Sequence, residues 1–117
     1  MKVIWMPLAK EEVRSIAKYI REEYGVQVRN NFIQEVRNTN RQISRDPLIG
    51  KLEPLLDDFP FAYRSIVVNR LNKIVYRIID NHIEVADFWD CRRDPNRLVA
   101  QVIELSAKQF TAESKKE

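Results

Sequence analysis

The residues best placed to do chemistry lie in one segment, Tyr63–Pro95, which reads YRSIVVNRLNKIVYRIIDNHIEVADFWDCRRDP. Alternation along Lys73–Asp80 sets Ile74, Tyr76 and Ile78 on one face of a strand and Lys73, Val75, Arg77 and Ile79 on the other. Lys73 and Arg77 are therefore expected to share an open face, partly apolar and partly basic. Arg92 and Arg93 follow at the end of the next strand, just before Asp94–Pro95. Guanidinium and ammonium groups so clustered suit a phosphate or an acidic protein surface. The same cluster also reads as a solvated, salt-bridged strand end that contributes little energetically.

Other reactive side chains give less. His82 is the only histidine and falls at a turn, where a solvated role is the expectation. Cys91 is the only cysteine, so no intrachain disulfide can form, which suits a reducing compartment. It has no neighbours at metal-ligand spacing and reads as a small semi-buried thiol. No metal or cofactor is expected. Glu11, Glu12, Glu22 and Glu23 read as the wet side of a helix rather than a carboxylate site. Trp5 and Trp89 read as packing residues.

These residues must be held by a small set of elements. Lys2–Met6 is a short apolar strand, and Pro7 suits the first turn of a helix. Val13, Ile16, Ala17, Ile20 and Tyr24 then recur at helical spacing and form one stripe. Gly25 marks the helix end. A second helix runs over Val26–Arg45, with Val28, Phe32, Val36 and Ile43 inward, weakened at Asn38–Thr39–Asn40 and ended by Asp46–Pro47. The short connection predicts an antiparallel helical hairpin. Leu48–Pro60, rich in proline, is expected to be a crossing loop. Strands follow at Phe61–Val68, Lys73–Asp80 and His82–Asp90, with a tight turn at Asp80–Asn81. Asp87 breaks the alternation of Ile83 and Val85, which predicts a bulge or the end of helix cover. Leu98–Phe110 resumes a helical period, and 111–117 is polar.

The order βααβββ plus a C-terminal helix predicts an α+β fold, a helical hairpin packed on one face of a small antiparallel sheet. A chain of 117 residues, 44% apolar and 32% charged, is expected to make one soluble domain. The net charge of +3 is weak evidence for a nucleic-acid partner. No leader or membrane span is read, and the expected location is the cytoplasm.

The order and the residues together resemble the RelE/ParE superfamily of small bacterial toxins over residues 1–97. The likeness rests on the opening strand and hairpin with AKEEVRSIAKYI, on Tyr63–Arg64 followed by KIVYRI at Lys73–Ile78, and on FWDCRRDP at the last strand's end. On this basis 1–98 is taken as the toxin domain and 99–117 as a C-terminal helical extension and tail. The resemblance implies a toxin of a type II toxin–antitoxin, or plasmid stabilisation, system that is neutralised by a cognate antitoxin protein. RelE-like members cut mRNA on the ribosome. ParE-like members poison DNA gyrase.

The nuclease role requires activation of a 2′-hydroxyl, stabilisation of phosphate charge and protonation of a leaving oxygen. In the family's pattern Arg64 matches a basic residue of one strand, Lys73 stands for a strand arginine, and Arg92 matches the basic residue after the last strand. Ile66 replaces a residue that is basic in some nucleases. The C-terminal tyrosine position falls near Leu98, and no tyrosine or histidine follows His82. Arginine is a poor general acid. The expectation is therefore a ParE-like inhibitor of DNA gyrase with no catalytic residue, in which Arg64, Lys73, Arg77, Arg92 and Arg93 form a target-binding basic face. The alternatives are an mRNA endonuclease acting with the ribosome, using Arg64, Lys73 and Arg92, or an inactive antitoxin-binding relative. A homodimer is left open. The C-terminal segment is expected to pack on the domain or to compete with the antitoxin for a groove.

Overall fold

Pro7, Gly25 and Pro47 punctuate the N-terminal half, and the chain turns at each. The computed structural model describes residues 1–92 and 96–105. Strand β1 (Lys2–Trp5) leads into helix α1 (Pro7–Tyr24), which has proline in its first turn. Gly25, at φ 95°, ends α1 and begins α2 (Val26–Arg45), its N–H donating to the Arg21 carbonyl at 3.0 Å. Only glycine adopts that backbone geometry without strain. One residue thus joins two antiparallel helices. Asp46, before Pro47, leaves helical geometry at φ −136° and ψ 86°.

The strands β2 (Lys51–Leu52), β3 (Tyr63–Val67), β4 (Asn72–Ile79) and β5 (His82–Asp90) complete a five-stranded sheet in the order β1-β5-β4-β3-β2. The β2–β5 portion is antiparallel, as expected. The edge strand β1 instead runs parallel to β5, with Val3 opposite Ile83 and Trp5 opposite Val85, so the sheet is mixed. A parallel neighbour needs a long crossover, and the helical hairpin supplies it. The expected loop at 48–60 contains β2 and a 3₁₀ turn at Pro54–Leu56. A third helix, α3, spans residues 96–105; residues 106–110 of the expected helix and the tail lie outside the described residues. The proposed division between 98 and 99 falls inside this helix.

The first core lies between the hairpin and the sheet. Ala9, Phe32, Val36 and Ile43 of the helices meet Ile74, Tyr76, Ile83, Val85 and Phe88, with Val13, Ile16, Ala17 and Ile20 packed around them. Phe32 meets Phe88 edge-on, with ring centroids 6.0 Å apart. The polar run in α2 also has a structural explanation. Thr39 is buried and its hydroxyl donates to the Glu35 carbonyl at 2.9 Å, while Asn40 accepts the Trp5 indole N–H at 2.7 Å. Three expected inward residues are exposed instead: Tyr24 and Val28 near the hairpin tip, and Ile78, which runs past the helices.

The tight turn at Asp80–Asn81 is present, with Asp80 at φ 53° and Ile79 opposite His82. The expected bulge is also present. Val75 pairs with Asp87 and Tyr76 with Val85, so Ala86 is the extra residue. The bulge returns Phe88 to the hairpin side and sends Ala86 and Trp89 to the other.

That other side is not open. Leu56, Tyr63, Val75, Ala86 and Trp89 form a second core with Leu98 and Val102 of α3, bordered by Phe59, Val99 and Leu105. This corrects the expected open face, because the C-terminal helix covers the sheet opposite the hairpin. Full burial of Leu98 and Val102 contributes about 1.5–3 kcal/mol each before ordering costs.

Tyr76 fastens the loop after α2 to the sheet. Its buried hydroxyl accepts the Gly50 N–H at 2.9 Å and donates to the Pro47 carbonyl at 2.8 Å. Burial pushes the phenol's pKa up, so it remains a donor. A side chain at Gly50 would put its Cβ 2.7 Å from the Tyr76 hydroxyl and 2.9 Å from the Ser65 carbonyl. Tyr76→Phe leaves the Gly50 donor without its partner and is expected to cost about 1–3 kcal/mol in chemical denaturation. Gly50→Ala is expected to destabilise as well, because backbone must shift to admit the methyl group.

Candidate functional site

The strand pairing places the expected basic residues in three separate environments. Lys73 faces the second core, where its Nζ lies 2.8 Å from Glu53 Oε2. The same oxygen accepts the Ser65 hydroxyl at 2.6 Å, and the Leu55 N–H approaches Oε1 at 3.4 Å. Glu53 is 3% exposed. Burial raises its pKa, but the hydrogen bonds from Lys73 and Ser65, the Lys73 charge and the Leu55 amide outweigh burial and hold the carboxyl below its ordinary value.

Arg77 lies on the same side of the sheet. Its Nε donates to Glu84 Oε1 at 3.1 Å, and both side chains are 5% exposed. The guanidinium carbon sits 4.4 Å from the Phe61 ring centroid and 5.9 Å from that of Tyr63. Arg77 is thus a buried ion-pair member and Lys73 a partly buried one, and neither is an open, solvent-facing cation.

Arg64 points the other way. It sits opposite Tyr76, and its Nη1 donates to the Gly50 carbonyl at 2.8 Å, on the hairpin side of the sheet. Arg92 stands at the end of β5, largely in solvent, with Nε 3.1 Å from Asp90 Oδ1 and Nη2 3.0 Å from Oδ2. The Asp90 carboxylate raises its pKa. Arg93 lies outside the described residues. The structure therefore joins Lys73 and Arg77 on one sheet face, and Arg64 and Arg92 lie apart from them.

Sequence reasoning missed Glu53 and Phe61. Glu53 sits in an irregular loop where no periodicity assigns a direction. Cys91 is exposed rather than semi-buried, and partial desolvation with nearby Asp90 and Glu53 raises its thiol pKa against the effect of Lys73. His82 opens β5 beside Lys2 of β1. Among the described residues no cluster of histidine, cysteine and carboxylate side chains is arranged to hold a metal, and no helix is long and apolar enough to cross a membrane.

A different surface presents exposed charge. Two adjoining pockets, of about 470 and 250 Å³, lie along the hairpin and share Trp5, Val36 and Arg37. Their apolar floor comes from Trp5, Val13, Ile33 and Val36. Lys10 and Arg14 of α1 and Arg37 and Arg41 of α2 line the sides, with no carboxylate among the lining residues. Arg14 lies 3.8 Å from the Glu11 carboxylate in a well-exposed pair.

The family model of the ParE toxin of type II toxin–antitoxin systems, parDE, matches residues 3–103. This chain belongs to that toxin family. The match includes nearly all of α3, so the family pattern extends past the β-sheet. No curated protein sequence matches at a significant level. Among solved structures, a chromosomal ParDE system from P. aeruginosa superposes with a TM-score of 0.64 at 14% identity, covering 77% of this chain and 95% of that one. A YoeB/ParE toxin from Agrobacterium tumefaciens gives 0.54 at 21%, covering 77% and 98%. The heterotetrameric YoeB–YefM toxin–antitoxin complex from Staphylococcus aureus gives 0.50 at 25%, covering 75% and 93%. The first two likenesses establish a shared fold.

Replacing Lys73 with methionine would leave Glu53 buried without its counter-charge, at an expected cost of about 3–5 kcal/mol near neutral pH. Because the folded-state pKa of Glu53 lies below its ordinary 4.5, the wild-type pair contributes fully above that value and loses its contribution as pH falls through the folded pKa. In Lys73→Met burial dominates, the folded pKa rises, and this contribution reverses sign, so acid favours the fold. Denaturation midpoints of wild type and variant from pH 3 to 7 should therefore converge on acidification.

Proposed function

We propose that this ParE-family toxin acts by docking on a protein target, DNA gyrase, rather than by cutting RNA. The observation that carries this reading is the state of its sheet cations. Lys73, partly buried, and Arg77, buried, are engaged in ion pairs with Glu53 and Glu84 on the sheet face that α3 packs against, and Arg64 points to the opposite face. A nuclease needs several such groups converging on one phosphate, with an acid or base beside them. Tyr63 and Tyr76 are buried, and no histidine or tyrosine follows His82. Docking asks only for a stable surface. Arg92, near the end of β5, and the exposed Tyr19 on α1 are residue types that favour interfaces, and they lie within electrostatic reach of each other.

The antitoxin is proposed to occupy the hairpin groove. An apolar floor between cationic walls fits an amphipathic segment with apolar anchors and flanking carboxylates. The YoeB–YefM assembly of S. aureus, similar in toxin fold, is itself a toxin–antitoxin complex.

Inducing the chain without antitoxin, while following one defined transcript and plasmid DNA in the same culture, tests the target. Growth arrest with stable transcripts and gyrase-linked DNA breaks is expected. Rapid transcript loss with intact DNA would make the toxin a nuclease and overturn the proposal. No effect from verified soluble protein would make it an inactive relative.

For the groove, Arg37→Glu combined with Arg41→Glu is expected to weaken antitoxin binding at least about tenfold by titration calorimetry, with a steeper loss at low salt. Both side chains are exposed, so the thermal midpoint should stay near that of wild type. Unchanged affinity would place the antitoxin elsewhere.

A further inference from the structure

The two helices of the hairpin have unlike outer surfaces. Helix α1 sets Glu11, Glu12, Glu22 and Glu23 against its basic residues and holds no Asn or Gln. Helix α2 has four arginines against one carboxylate, Glu35, and seven of its 20 residues are Asn or Gln. Asparagine is a poor helix former, and a solvated helix face is ordinarily built from Lys, Glu and Ala. The fold accounts for Asn40, which accepts the Trp5 indole N–H. It does not account for the amides on the opposite side of the helix from Phe32, Val36 and Ile43, which face water.

Those amides form one row. Gln27, Asn31, Gln34, Asn38, Arg41 and Arg45 follow one another at alternating steps of four and three residues, so they share a single stripe, and all six are exposed. The Gln27 amide donates to Asn31 Oδ1 at 3.1 Å, and the Gln34 amide donates to Asn38 Oδ1 at 3.0 Å. The Arg41 guanidinium donates to the same Asn38 oxygen at 3.2 Å. A side-chain amide has two N–H donors and a carbonyl with two lone pairs, so these bonds use only part of its capacity. The row is held along the helix axis with donors and acceptors left toward solvent, and no carboxylate stands within it.

Arg, Asn and Gln are the side chains that read base edges in the major groove of DNA, and that groove admits an α-helix. A partner recognised by charge alone would be met by cations, whereas a row of amides adds hydrogen-bond readout. The stripe also favours duplex DNA over RNA. The major groove of an RNA duplex is too narrow for side chains to read, and single strands are gripped by stacking on aromatic rings, of which the stripe has none.

We propose that the outer face of α2 binds duplex DNA, with Gln34 and Asn38 at base edges in the major groove and Arg41 and Arg45 on the flanking phosphates. Of the six stripe residues, only Arg41 also lines the hairpin pockets. The contact is made by the toxin itself and is independent of its protein target.

The test uses the full-length chain without antitoxin or gyrase. Duplexes about two helical turns long are selected by the wild-type protein from a random-sequence pool, labelled, and titrated by fluorescence anisotropy. Affinity should fall about tenfold between about 50 and 200 mM salt, as about two phosphate contacts require. Arg45→Ala should lower the salt slope by about one. Lys18→Ala, the same charge loss on the exposed side of α1, should leave the slope unchanged. Gln34→Ala combined with Asn38→Ala should weaken binding at least about tenfold, while the thermal midpoint holds or rises because alanine is the better helix former. No duplex binding at low salt, full affinity in the double alanine variant, or equal losses from Lys18→Ala and Arg45→Ala would each overturn the proposal. Tighter binding of single- or double-stranded RNA of the same sequence would overturn it too, by making this an RNA surface.

Discussion

The β4–β5 ladder is apolar on both faces, and this constraint shapes the whole domain. Ile74, Tyr76, Ile83, Val85 and Phe88 face one way, and Val75, Ala86 and Trp89 face the other. Neither set can be left in water without losing its burial energy. The helical hairpin covers the first face, and the crossover it makes forces β1 to lie parallel beside β5. The second face requires another cover, which α3 supplies. The bulge at Ala86 reconciles the two demands, because without the extra residue Asp87 would take the place of Phe88 against the hairpin.

A sheet covered on both sides traps whatever polar groups its strands carry. Lys73, Glu53, Arg77 and Glu84 are held this way. Each cation has a carboxylate within hydrogen-bonding distance, which offsets desolvation without making the pairs a strong source of stability. Ser65 and the Phe61 ring complete the two environments. The residues that look most reactive in the sequence are thus those the fold neutralises most completely.

Local signals made much of the fold legible. Pro7, Gly25 and Asp46–Pro47 bound the helices, Asp80–Asn81 sets the hairpin, and Asp87 reveals the bulge, because each acts through backbone geometry within a few residues. The sidedness of the sheet was harder to read. Alternation assigned Lys73 and Arg77 to one face, as found, but could not say whether that face was wet, since its cover comes from residues 96–105. Part of the answer was available: a two-residue turn pairing Ile79 with His82 sets Arg77 opposite Glu84 by counting back along the strands. Arg77 could have been read as an ion-pair member. Glu53 offers no such arithmetic, because it reaches Lys73 from an irregular loop. Tyr24, Val28 and Ile78 followed the right periods but lie where the facing layer ends.

The same burial moves the protein's available charge. With Lys73 and Arg77 paired inside and Arg64 turned toward Gly50, the sheet offers little positive field to a partner. Lys10, Arg14, Arg37 and Arg41 stand instead around an apolar floor on the helical hairpin, with no carboxylate among the residues lining its pockets. Long-range attraction acts through exposed groups such as these, whereas a buried pair presents only a weak dipole to its surroundings. The exposed charge of the hairpin and the basic residues of Tyr63–Pro95 therefore lie on different surfaces, because the sheet pairs Lys73 and Arg77 with carboxylates while the hairpin leaves Lys10, Arg14, Arg37 and Arg41 at its surface.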